Sequence, residues 1–126
     1  MPIPLAWPVS QTFPVPKRDE TSAAVVEAAR QLFARWAPRG KDAGLIITVN
    51  AMDRLVWRRW RVVEGLDVRV ACRRRPPPEG LVLGGHRALR FPVRERRPFS
   101  TDWAMVEDLD SAVGKIERQL TKWAAR

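Results

Sequence analysis

Residues 55–63 read LVWRRWRVV, three arginines and two tryptophans set among aliphatic residues. A strand buried on both faces has no room for Arg58, Arg59 and Arg61, and a solvated loop has no need of Trp57 and Trp60. On an extended chain, neighbours point to opposite faces. Arg54, Val56, Arg58, Trp60 and Val62 then share one side, and Leu55, Trp57, Arg59, Arg61 and Val63 the other. Neither side is cleanly apolar, so the stretch holds a bulge or a strand end. Either way, at least one tryptophan lies near guanidinium groups. Two readings stay open. In one, the tryptophans are core and the arginines cover them with their stems. In the other, ring and guanidinium together face a nucleic acid.

Upstream, residues 1–18 are proline-rich and extended. Leu5–Val9 or Gln11–Val15 can supply an edge strand, where proline is tolerated. Thr21 or Ser22 can cap a helix running to about Ala37, with Val25, Ala29, Leu32, Phe33 and Trp36 on one face and Pro38 and Gly40 ending it. The β-branched run Leu45–Val49 reads as a central strand, and Asn50–Asp53 as a turn. Arg54–Val63 is then a second strand, and Glu64–Asp67 a hairpin connection. Downstream, Val68, Val70 and Cys72 alternate with Arg69, Ala71 and Arg73, giving a half-buried strand with one cationic face. Pro76–Gly80 breaks it, and Leu81–Leu83 can begin another extended piece. Leu89, Phe91 and Val93 alternate with Arg90, Pro92 and Arg94 as a last strand at an edge.

Ser100, Thr101 or Asp102 can cap a C-terminal helix in which Val106, Leu109, Val113, Ile116, Leu120 and Trp123 recur at helical spacing. Lys115, Arg118, Lys122 and Arg126 form a second stripe beside them, which is either a solvated face or a contact surface. The order (β)-α-β-β-β-(β)-α predicts an α+β fold: a mostly antiparallel sheet of three to five strands with two helices packed on one face. Residues 1–18 form an extended N-terminal segment and 19–126 a single domain.

The 126 residues carry 23 basic and 14 acidic side chains, a net charge of +9, and arginine outnumbers lysine 19 to 4. The excess is local: residues 54–97 hold 13 arginines against four acids, and the rest of the chain is balanced. Such an imbalance suits a polyanionic partner. The alternative is a solvated basic surface. The one cysteine, Cys72, excludes an internal disulfide and fits a cytoplasmic setting. No apolar run approaches the ~20 residues that span a bilayer, and the N-terminus has no basic region of the kind that opens a signal peptide.

Residues for chemistry are sparse. One histidine and one cysteine give no metal-site spacing, no phosphate-cradling glycine motif is present, and no cofactor is implied. One catalytic alternative remains. LVLGGHRALRF, residues 81–91, in which an apolar run leads into Gly-His-Arg, resembles the last strand of RelE-type toxins, and residues 56–70 loosely resemble their arginine-bearing strands. That resemblance implies a ribosome-dependent mRNA endonuclease in which arginine stabilises phosphate charge and His86 acts as acid or base.

The C-terminal segment MVEDLDSAVGKIERQLTKWAAR, and within it Lys115 to Lys122, resembles the last helix of the ribosome hibernation promoting factors, or ribosome-associated inhibitors. That resemblance implies a β-α-β-β-β-α order, a position against small-subunit rRNA in the decoding region, and rRNA contacts from Lys115, Arg118 and Lys122. The expected function is therefore non-catalytic RNA binding, with the small ribosomal subunit as favoured partner. The expected contact residues are Arg58, Arg59, Arg61, Arg69, Arg73, Arg74, Arg94, Arg96, Arg97, Lys115, Arg118 and Lys122, with Trp57 and Trp60 for stacking and no catalytic or metal residue. A third reading is a phage or mobile-element protein that binds DNA or docks on an assembly through its tryptophans. Oligomeric state is not legible.

Overall fold

Asp19 sits in extended backbone, and its carboxylate accepts the N–H of Ser22 at 3.0 Å, capping helix α1 (Glu20–Asp42). The computed structural model that shows this describes residues 19–72 and 86–125. The expected strands in residues 1–18 and at Leu81–Leu83 lie outside them. The cap falls ahead of the expected Thr21 or Ser22, and the helix runs past the expected end at Ala37 with Pro38 inside it. A helical proline costs ~3 kcal/mol. Trp36 and Gly40, on either side of it, are both buried against the rest of the domain. The helix stops where Gly44 takes a left-handed φ of 76°, a conformation open to glycine.

Among the described residues four antiparallel strands follow in the order β1-β2-β3-β4: β1 (Leu45–Val56), β2 (Arg61–Cys72), β3 (His86–Arg96) and β4 (Ala104–Met105). Helix α2 (Leu109–Ala124) closes the order α-β-β-β-β-α. This is the expected α+β class with a mostly antiparallel sheet. The core joins Val25, Ala29, Leu32 and Trp36 of α1 and Ala112, Ile116 and Leu120 of α2 to Ile47, Val49, Leu66, Val68, Val70 and Val93 of the sheet. Both helices thus cover one sheet face, and among the described residues the other face carries no helix.

Several boundaries differ from the sequence reading. Asn50–Asp53 is no turn but the middle of β1, paired residue by residue with Glu64–Asp67, which is no hairpin but the middle of β2. The chain reverses instead at residues 57–60. Helix α2 begins at Leu109, capped by Asp108 accepting from Ser111 N–H at 3.3 Å, well after the expected caps at residues 100–102. The intervening chain pairs Ala104 and Met105 with Glu95 and Arg94. Among the described residues, no helix is long and apolar enough to cross a membrane.

A bulge in β3 sets the position of two arginines. Glu64 faces Arg94 and Gly65 faces Pro92, so Val93 is an extra residue on that strand. Val93 points into the core, and Arg94, which simple alternation assigns to the opposite face, also turns toward α1. Gly65 belongs to the same feature: a Cβ there would lie 2.2 Å from the Phe91 carbonyl oxygen.

Candidate nucleic-acid interface

Residues 57–60 cross from β1 to β2 at the tip of a long hairpin whose last pair is Val56 with Arg61. Arg59 N–H donates to Val56 O at 3.2 Å and Trp60 N–H to Trp57 O at 3.3 Å, so two tight turns overlap. Trp60 carries φ 50°. The opening stretch is therefore two strand ends and a turn, which is why neither of its faces is apolar. Trp57 and Trp60 are 65% and 51% exposed, so they are not core residues. Their rings meet edge to face, with centroids 5.1 Å apart and planes at 77°. Arg58 and Arg59 project between them in the chain, both exposed, and Arg61 Nη1 donates to Trp60 O at 3.2 Å.

Core residues Ile47, Val49, Leu66, Val68 and Val70 fix which strand positions face the helices. By alternation Arg54, Arg61, Arg69 and Arg90 lie on the opposite, helix-free face. Arg69 Nε lies 3.3 Å from Asp67 Oδ2. Among the described residues, Arg54, Arg58, Arg59 and Arg90 have no carboxylate within ion-pair distance. Arg54 and Arg90 were not in the expected contact set. Their signal was present in the sequence, since each follows or interrupts alternating apolar residues.

Arg94 and Arg96 leave that set, because both are buried (4% and 6% exposed). Arg94 Nε donates to Glu64 Oε1 at 2.8 Å, and its two Nη groups donate to Asp19 at 2.8 Å each. Ser22 Oγ accepts from Arg94 at 2.9 Å and donates to Glu64 Oε2 at 2.8 Å, which closes the network. Burial works against the Arg94 charge, but the two carboxylates outweigh it and hold its pKa above the ordinary value. The same guanidinium holds the Asp19 carboxyl far below the usual carboxylate range, assisted by the Ser22 N–H. Arg96 Nη1 donates to the carbonyls of Arg97, Pro98 and Ser100, fixing the loop after β3. Arg94 and Arg96 lie 4.2 and 5.2 Å from the Trp103 ring centre. These two cations hold the fold together.

The α2 stripe is a separate place. Lys115, Arg118 and Lys122 are exposed, and with Leu89, Phe91 and Gln119 they line a groove of about 360 Å³ between α2 and β3. Lys115 Nζ is 2.6 Å from Glu107 Oε1, so its charge is partly matched, and it is the main reason the Glu107 carboxyl sits below its ordinary value. Arg87 lies over the Trp123 ring, 5.5 Å from its centre. Arg97 is exposed beyond β3. Arg73 and Arg74 lie outside the described residues, as do Gly84 and Gly85 of the toxin-like motif. The structure thus divides the expected cations into a hairpin tip with an open sheet face, a helix stripe, and a buried pair.

Comparison with protein-family models, with curated proteins and with solved structures finds no match. Among the described residues, no three His, Cys, Asp or Glu side chains converge as metal ligands would.

Proposed function

We propose that this chain is a basic, non-catalytic RNA-binding protein that grips its ligand with the β1–β2 hairpin tip and the helix-free sheet face. The observation that carries the reading is the group Arg54, Arg58, Arg59 and Arg61 around an exposed two-tryptophan turn, none of them with a carboxylate partner among the described residues. Arg69 and Arg90 extend the group along the open face. Unpaired guanidinium groups fork onto phosphate, and aromatic rings beside them take up bases. Small-subunit rRNA is the target that the hibernation-factor resemblance implies. The helix, three long strands and closing helix follow that family's order, with the two-residue β4 as an addition before α2.

Sedimentation of the tagged protein with small ribosomal subunits at rising salt tests the reading. With six phosphates neutralised, affinity should fall about a thousandfold between roughly 50 and 200 mM salt. Changing both Arg58 and Arg59 to glutamine should lower the slope of log affinity against log salt by about 1.4. His86→Ala should leave binding intact; loss of RNA cleavage in that variant would favour the toxin-like reading. Absence of retention on ribosomes and on free RNA at low salt would overturn the proposal.

A further inference from the structure

We infer that Trp57 and Trp60 form a stacking platform for unpaired nucleobases, so that the hairpin tip selects single-stranded or looped-out RNA over a continuous duplex. The inference rests on the RNA-binding reading and names the form of RNA the tip takes. Its first support is position. Two indoles stand 65% and 51% exposed at the end of a hairpin, where neither adds to the core.

The second support is backbone. Trp60 holds φ 50°, a left-handed conformation that glycine takes freely and a bulky side chain takes at a cost. A four-residue hairpin turn does not need an indole there. Strain at an exposed site where a smaller residue would relieve it points to a task for the side chain.

The third support is the shape of the pair. The rings sit at 77° with centroids 5.1 Å apart. In an edge-to-face pair one ring offers its rim, so the pairing itself covers neither face of that ring and only one face of its partner. Flat π faces flanked by cations are what a base and its phosphate require, and every base has such a face. A continuous duplex keeps its bases stacked on each other and presents none to the tip. A lipid surface is the less fitting occupant. The turn has no aliphatic side chain to follow the indoles into the acyl region, and Arg58 and Arg59 sit between them.

The test measures binding of fluorophore-labelled RNA of about twelve nucleotides, single-stranded and annealed to its complement. Vesicles of phosphatidylcholine and phosphatidylserine form a third arm. The parent protein should prefer the single strand, with quenching of its tryptophan emission. Trp60→Gly should keep or raise the melting temperature, because glycine suits φ 50°, yet lower single-strand affinity roughly five- to 150-fold, the loss of one stacked base. Trp57→Ala should act in the same direction. Both should leave duplex affinity nearly unchanged, whereas the double glutamine variant of Arg58 and Arg59 should weaken both RNAs. If Trp60→Gly and Trp57→Ala bind the single strand like the parent while the arginine variant loses both, the stacking inference fails and the RNA reading stands. If the parent binds neither RNA, the RNA reading fails and takes the inference with it. Vesicle binding that depends on Trp60, without a single-strand preference, would make the tip a lipid anchor and overturn the inference.

Discussion

Replacing Arg94 with methionine should cost the fold about 3–5 kcal/mol. The size follows from what is left behind. Glu64 has a side chain only 9% exposed, and its charge is held by Arg94 Nε and Ser22 Oγ. Without the guanidinium one hydroxyl faces a buried carboxylate, and removing one partner of a buried pair is the costly case. Asp19 adds less, because its side chain is 47% exposed and water can replace the lost bonds. Trp103 loses the cation lying 4.2 Å from its ring centre. For a chain of this length such a loss lowers the melting temperature by roughly 12–20 °C. Urea unfolding followed by tryptophan fluorescence measures it. The double variant Arg94→Met, Glu64→Leu should recover most of the loss, since replacing both partners by apolar groups is often neutral. A single-variant cost below about 1 kcal/mol, or a double variant no better than the single, would refute the argument that the pair is buried and mutually dependent. RNA affinity of a variant kept folded at low temperature should match the parent, because the Arg94 guanidinium is buried and already bonded to two carboxylates.

Three further outcomes follow from the contacts around the sheet and the helix ends. Gly65→Ala should destabilise by about 2 kcal/mol or more in the urea assay, because its Cβ would meet the Phe91 carbonyl oxygen and the backbone of Pro92 rather than a movable side chain. Asp19, whose folded pKa lies below its unfolded value, contributes stability that is fully present above ~pH 4 and drains away as pH falls further. Asp19→Asn should therefore flatten the acid limb of the stability profile below that pH, and an unchanged limb would contradict the Arg94 bond. Asp108→Ala removes the α2 cap and should cost ~1 kcal/mol by thermal unfolding, less than the Arg94 change.

Periodic signals were legible in the sequence, and long-range pairing was not. Val25, Ala29, Leu32 and Trp36 announce the buried side of α1, and Ile116 and Leu120 that of α2, because burial on a helix repeats at a local spacing. The turn between β1 and β2 was misplaced because polar residues mark a turn only when nothing distant claims them. Asn50–Asp53 and Glu64–Asp67 have turn-like composition, yet they pair with each other across the hairpin, and Glu64 meets Arg94, 30 residues on. The true reversal carries Trp-Arg-Arg-Trp, with none of the glycine, asparagine or proline that usually signals one.

The same reasoning explains why charge counted along the chain overstates the contact set. Thirteen arginines between residues 54 and 97 read as one footprint, but a single extra residue in β3 turns Arg94 from the open face to the helix side. Once there, it must be paired, and Asp19, Ser22 and Glu64 surround it. Arg96, two residues on, is bound by carbonyls in place of acids. Arginine in this domain thus occupies two settings that composition cannot separate. Where the backbone turns the guanidinium inward, it ties α1 and the loop after β3 to the sheet. Where the hairpin carries it out past the core, beside a tryptophan in a left-handed turn, it stays exposed with no carboxylate in ion-pair distance among the described residues, the setting that the proposed function reads as a phosphate contact.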